Sequence, residues 1–83
     1  MDYSNKGILI MLQDLQREYY GKVSIYIDTI NHDKEVIIAC CVFDATGEPH
    51  TINFYSFEDV CVHKKNFLKV KDIIDNTLKC KET

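Results

Sequence analysis

The chain predicts an α+β fold, a two-layer sandwich of order α-β-β-β-α in which two helices cover one face of a three-stranded antiparallel meander. Three observations carry that expectation. Apolar residues repeat at helical spacing near the start, the period switches to two through three consecutive segments, and helical spacing returns in the last third. With 83 residues the chain has room for one domain, read as residues 1–83, and buries only roughly 60 to 65% of its unfolded surface. Its 46% hydrophobic and 28% charged content is that of an ordinary folded domain.

The first element reads as a helix from about Asn5 to Tyr20. Ile8, Met11, Leu12, Leu15 and Tyr19 form one stripe, with Gln13, Asp14, Gln16, Arg17 and Glu18 outside it. Ser4 is the candidate N-cap, and Gly21 suits the left-handed C′ position. From Lys22 to Ile30 the pattern alternates, with Val23, Ile25 and Ile27 opposite Ser24, Tyr26 and Asp28, as in a half-buried strand. Asn31 to Lys34 form a polar turn. Glu35 to Phe43 is an almost unbroken apolar run, the mark of a central strand. Asp44 to Pro49 carry turn chemistry, and His50 to Phe57 resume alternation.

The hydrophobic pattern selects a register. A first hairpin closing across Asn31 and Lys34 pairs Val23 with Val42, Ile25 with Cys40 and Ile27 with Ile38, all inward and apolar. A seven-residue loop in the second hairpin sets Cys40 against Ile52 and Ile38 against Phe54. In the last third Phe67, Val70, Ile73, Ile74 and Leu78 predict a helix from about Asn66 to Cys80. Residues 57–65 are read as a turn or short helical piece, capped by Ser56 with Asp59 at the third position, in preference to a fourth strand at Val60 to His63.

Charge and cysteine narrow the functional classes. Residues 1–61 hold ten acids and four bases, −6, and residues 62–83 six lysines against three acids, +3, giving the net −3. The balance removes a global nucleic-acid footprint, and Arg17 is the only arginine available for bidentate phosphate or guanine recognition. The apolar run from Ile8 to Leu12 is too short for a signal sequence and follows Asp2, so a cytoplasmic location is expected. Cys40, Cys41, Cys61 and Cys80 then read as free thiols. No apolar stretch has the length of a membrane span. The composition, rich in Lys, Ile, Asn and Asp, is associated with bacterial or mobile-element proteins.

Catalytic chemistry has little support. His32, His50 and His63 accompany no nucleophile motif or phosphate loop, and no cofactor is expected. Cys61 and His63 are the nearest thiol and base, and a buried small cysteine beside a surface histidine describes them better. Zinc knuckle spacing is absent, so no metal site is expected. Cys61, His63 and Cys80 could meet only if the last helix ran back past the connection.

Lys64, Lys65, Lys69 and Lys71 open the last helix in this reading and form a candidate polyanion-binding cluster. The element order with Lys64-Lys65 leading that helix resembles the double-stranded RNA-binding domain, which implies a nucleic-acid-binding module. The alanine-rich second helix of that family has no counterpart, because residues 67–80 contain no alanine. Small size, an acidic first three quarters and the same order are also similar to some phage-encoded CRISPR inhibitors, which implies an inhibitor of a nucleic-acid enzyme.

The other sheet face points elsewhere. The register sends Ile37, Ala39, Cys41 and Phe43 outward along the central strand, with Tyr26 and Tyr55 on its flanks and no element left to cover them. Such a stripe has the composition of a protein interface. The leading expectation is a non-catalytic interaction module, a homodimer or a binder of a protein partner, working through Tyr26, Ile37, Ala39, Cys41, Phe43 and Tyr55.

Overall fold

The computed structural model describes the backbone of residues 2–82 and the side chains of residues 2–76. Helix α1 spans Asn5–Glu18, strands β1, β2 and β3 span Val23–Ile30, Glu35–Phe43 and Pro49–Tyr55, and helix α2 spans Val60–Glu82. The architecture is the expected α-β-β-β-α, with an antiparallel sheet of order β1-β2-β3.

Ser4 caps α1, its Oγ accepting from the Gly7 N–H at 3.3 Å. Gly7 has a second task. A Cβ there would lie 2.1 Å from the Asp2 carbonyl oxygen, so glycine is what lets the N-terminal segment rest on the helix. Ile8 and Leu12 are fully buried, with Met11, Leu15 and Tyr19 packed beside them. The helix ends on Tyr19 rather than Tyr20, and Gly21 reverses the chain at φ +84, one residue later than the expected C′ position.

Both ladders have the predicted register, including Val23 with Val42, Ile25 with Cys40, Cys40 with Ile52 and Ile38 with Phe54. The second ladder continues to Phe43 and Pro49, so the loop is only Asp44 to Glu48, shorter than expected. Asp44 makes the tighter turn feasible. Its Oδ1 accepts from Thr46 N–H at 2.9 Å, Thr46 Oγ1 at 2.6 Å and Glu48 N–H at 3.0 Å.

One core joins all five elements. Ile8 and Leu12 of α1 and Phe67, Val70 and Ile74 of α2 pack on Val23, Ile38, Cys40, Val42 and Phe54 of the sheet. Ile27 departs from expectation, since it faces the helix side yet is 49% exposed. Its row partners Ile38 and Phe54 are buried, so the cover reaches β2 and β3 at this level but not the edge strand β1.

The last helix differs most from the sequence reading. It begins at Val60, not near Asn66. Asp59 is its cap: the side-chain Oδ1 accepts from Cys61 N–H at 3.0 Å, and the backbone carbonyl accepts from Val62 and His63 N–H at 3.0 and 3.2 Å. Ser56, the expected cap, instead accepts from Val36 N–H at 2.8 Å and donates to Glu35. Residues 56–59 are turn, and Phe57, expected at a strand end, lies in it at 61% exposure. Leu78 and Cys80 lie outside the residues whose side chains are described.

Candidate interaction surface

The face of the sheet away from the helices is built in rows by the register. Ser24, Cys41 and Thr51 share one row, Tyr26, Ala39 and Asn53 the next, and Asp28, Ile37 and Tyr55 a third, with Phe43 at one end of the stripe. Ile37, Ala39, Cys41 and Phe43 are half-buried by their neighbours, and no helix or loop lies over them among the described residues. The small side chain of Ala39 leaves a shallow depression of about 340 Å³, walled by Tyr26 and Thr51 and floored in part by Cys41.

The tyrosines do not close over this stripe. Tyr26 is 64% exposed, and its hydroxyl donates to Asp28 Oδ2 at 3.3 Å. Tyr55 accepts from Asn53 Nδ2 at its hydroxyl, 3.4 Å away, and its ring is stacked on Phe57 with centroids 5.1 Å apart and an interplanar angle of 28°. Phe57 therefore extends the apolar surface beyond the strands. Its place in the turn, not a strand, is what hid it from the sequence reading.

The four lysines are all exposed, but they are not one patch at a helix start. Because α2 opens at Val60, Lys64 and Lys65 lie past the first turn, where the free N–H groups are. At about 100° per residue, Lys64 and Lys71 fall on one flank of α2 and Lys65 and Lys69 on another. The Lys64 ammonium sits 5.9 Å from the centre of the Tyr3 ring, whereas Lys69 lines a groove of about 570 Å³ between β3 and α2 with His50, Ile52 and Asp72.

His63 is not the surface residue expected. It is 2% exposed, with Nδ1 2.8 Å from the Tyr3 carbonyl oxygen and Nε2 2.8 Å from that of Tyr55. The Tyr55 carbonyl also accepts from the Glu58 N–H at 3.1 Å. Phe54 meets the ring edge-on at 6.0 Å. Its neighbour Cys61 is exposed and points about 200° away around the helix, so the structure does not bring thiol and base together. The zinc arrangement that also needs Cys80 lies outside the described side chains.

Cys40, Cys41 and Cys61 are free thiols. Adjacent Cys40 and Cys41 take opposite faces, and burial, reinforced by the neighbouring Cys41, pushes the Cys40 thiol up to about 12. The most polarised carboxyl is Asp44. The Thr46 hydroxyl and then His50, whose Nε2 is 2.7 Å from Oδ2, hold it well below the usual carboxylate range. Asp44, Glu48 and His50 each bring one potential metal-ligand atom within 4.8 Å of the others, a grouping no sequence motif announced. Both Asp44 oxygens are already spent on bracing the loop.

No helix among the described residues is long and apolar enough to cross a membrane. No family model, curated protein or solved structure matches the chain. The likeness to the double-stranded RNA-binding domain thus rests on element order and Lys64-Lys65 alone.

Proposed function

We propose that the protein is a non-catalytic interaction module that binds a macromolecular partner through the outer face of its sheet. The observation that supports this reading is the uncovered stripe of Ile37, Ala39, Cys41 and Phe43, with Tyr26 beside it and the Tyr55-Phe57 stack at its far side. Large aromatic residues around a small-residue depression are how interfaces combine apolar area with shape. Substitution at Phe43 tests it, because this side chain points away from the core and its loss leaves the helix-covered face intact. Phe43→Lys should abolish capture of the partner from extracts of the native host while leaving the far-ultraviolet circular dichroism unchanged. Equal recovery by wild type and variant would sink the reading.

A further inference from the structure

The two edges of the sheet are not alike. In an antiparallel ladder, pairs that exchange both backbone bonds alternate with pairs that exchange none, so every second residue of an edge strand turns its N–H and C=O outward. Two bonds set the parity here: Phe43 N–H donates to Lys22 O at 3.0 Å, and Ser56 N–H to Val36 O at 2.8 Å. With the register, the odd-numbered residues of both edge strands face outward, Ile25, Ile27 and Thr29 on β1 and Pro49, Thr51, Asn53 and Tyr55 on β3.

On β3 the row is closed at its Tyr55 end, while the N–H and C=O of Thr51, the Asn53 N–H and the Pro49 C=O have no partner among the described residues. Pro49 has no N–H, Asn66 donates to Asn53 O at 3.4 Å, His63 Nε2 lies 2.8 Å from Tyr55 O, and Tyr55 N–H donates to Glu58 Oε1 at 3.2 Å. Such devices keep a sheet edge from pairing with another chain. On β1 the one device is Thr29 N–H donating to Asp28 Oδ1 at 2.7 Å. Among the described residues nothing reaches the outward N–H or C=O of Ile25 or Ile27, and β1 contains no proline, glycine or lysine. The same stretch is uncovered on both faces, Ile27 being 49% and Tyr26 64% exposed.

We propose that a second copy of this chain pairs with β1, antiparallel about a two-fold axis at Tyr26, to form one continuous six-stranded sheet. The sequence of β1 selects that register. Positions summing to 52 set Tyr26 against Tyr26, Ile25 against Ile27 and Ser24 against Asp28, and leave Val23 against Thr29 as the one mixed pair within the strand. A sum of 54 puts Ile25 against Thr29 and Tyr26 against Asp28. A sum of 50 spends Ile27 on Val23, which is already buried at 4% exposure. In the chosen register each Ile25-Ile27 pair exchanges both backbone bonds, and the half-exposed Ile27 is covered. This pairing uses a different surface from the outer face and stands or falls apart from it.

Sedimentation over a range of concentrations reads the association, with a dissociation constant expected near about 100 µM for so short an interface. The register is read by cross-linking. Across the two-fold axis, Cα atoms of a non-hydrogen-bonded pair are about 4.5 Å apart, within disulfide range, so mild oxidation of Tyr26→Cys should give a covalent dimer mapped to position 26. Asp28→Cys on the same face should not, because its copies are four residues out of step, about 13 Å. Ile27→Pro removes only an outward N–H and should leave a folded monomer; where it fails to fold, Ile27→Lys serves in its place. The pairing is overturned if the wild type stays monomeric to about 1 mM, a concentration well above that constant. It is also overturned if Asp28→Cys cross-links as fast as Tyr26→Cys. A dimer that survives the Ile27 variant but is lost in Phe43→Lys would assign self-association to the outer face instead.

Discussion

His63 shows how much one buried polar side chain can organise. It joins the end of β3 at Tyr55 and the first turn of α2 to the N-terminal segment at Tyr3, 60 residues away in sequence. Removing its ring takes a partner from the Tyr3 carbonyl, leaves the Tyr55 carbonyl with only the Glu58 N–H at 3.1 Å, and opens a void beside Phe54. A lost buried hydrogen bond costs about 1 to 3 kcal/mol and the void adds to it, so His63→Ala should lose about 2 to 4 kcal/mol, a large share of the stability of so small a domain. His63→Gln, which restores an N–H donor, should lose roughly half as much. Urea unfolding measures both, and equal losses would mean that packing rather than hydrogen bonding sets the cost. The sequence offered no sign of this role, because a histidine between Val62 and Lys64 looks the same whether its partners are water or the carbonyls of distant residues.

At the scale of elements, the β2-β3 loop and the start of α2 both depend on an aspartate. In the loop, Asp44 accepts from Thr46, Glu48 and His50, and these bonds favour its charged form. A carboxyl lowered in the folded state contributes stability that is fully present above its unfolded value, close to the usual 3.8, and that is lost as pH falls through the folded value. Amide exchange at Thr46 and Glu48 should therefore accelerate selectively in strong acid, below pH 3.8, while Ile38 and Val42 stay protected. In Asp44→Ala, which removes the acceptor, the two amides should exchange fast at every pH. At the start of α2 the sequence pointed to Ser56 as the cap with Asp59 three residues on, whereas Asp59 itself caps the helix. What displaced Ser56 was its engagement with Val36 and Glu35 on β2, a contact across the fold that local pattern does not contain.

For the whole molecule the main fact is incomplete coverage. Two helices bury the central part of one sheet face, and they leave Ile27 beyond their reach, the stripe along β2 on the far side and the outward row of β1. Each is a place where association removes apolar surface or unpaired backbone from water. If two copies join at β1, folding and association are linked by mass action. The thermal midpoint should then rise with protein concentration, by about 3 to 5 °C for each tenfold increase above the dissociation constant. Calorimetry at several concentrations checks this, and the rise should vanish in Ile27→Pro.

The sequence by itself determined the order of elements, both hairpin registers and the two-sided apolar character of β2, because periodicity and pairing are local properties of a chain. A one-residue slip would have buried Ser24, Asp28 and Asn53, so no other register was available. Only the tertiary structure decided where α2 starts, which face buries His63, how the lysines divide and which sheet edge is left open. Those outcomes turn on hydrogen bonds between residues far apart in the chain, and single polar side chains such as Ser56, Asn66 and His63 can make them only after the core has brought distant backbone within reach.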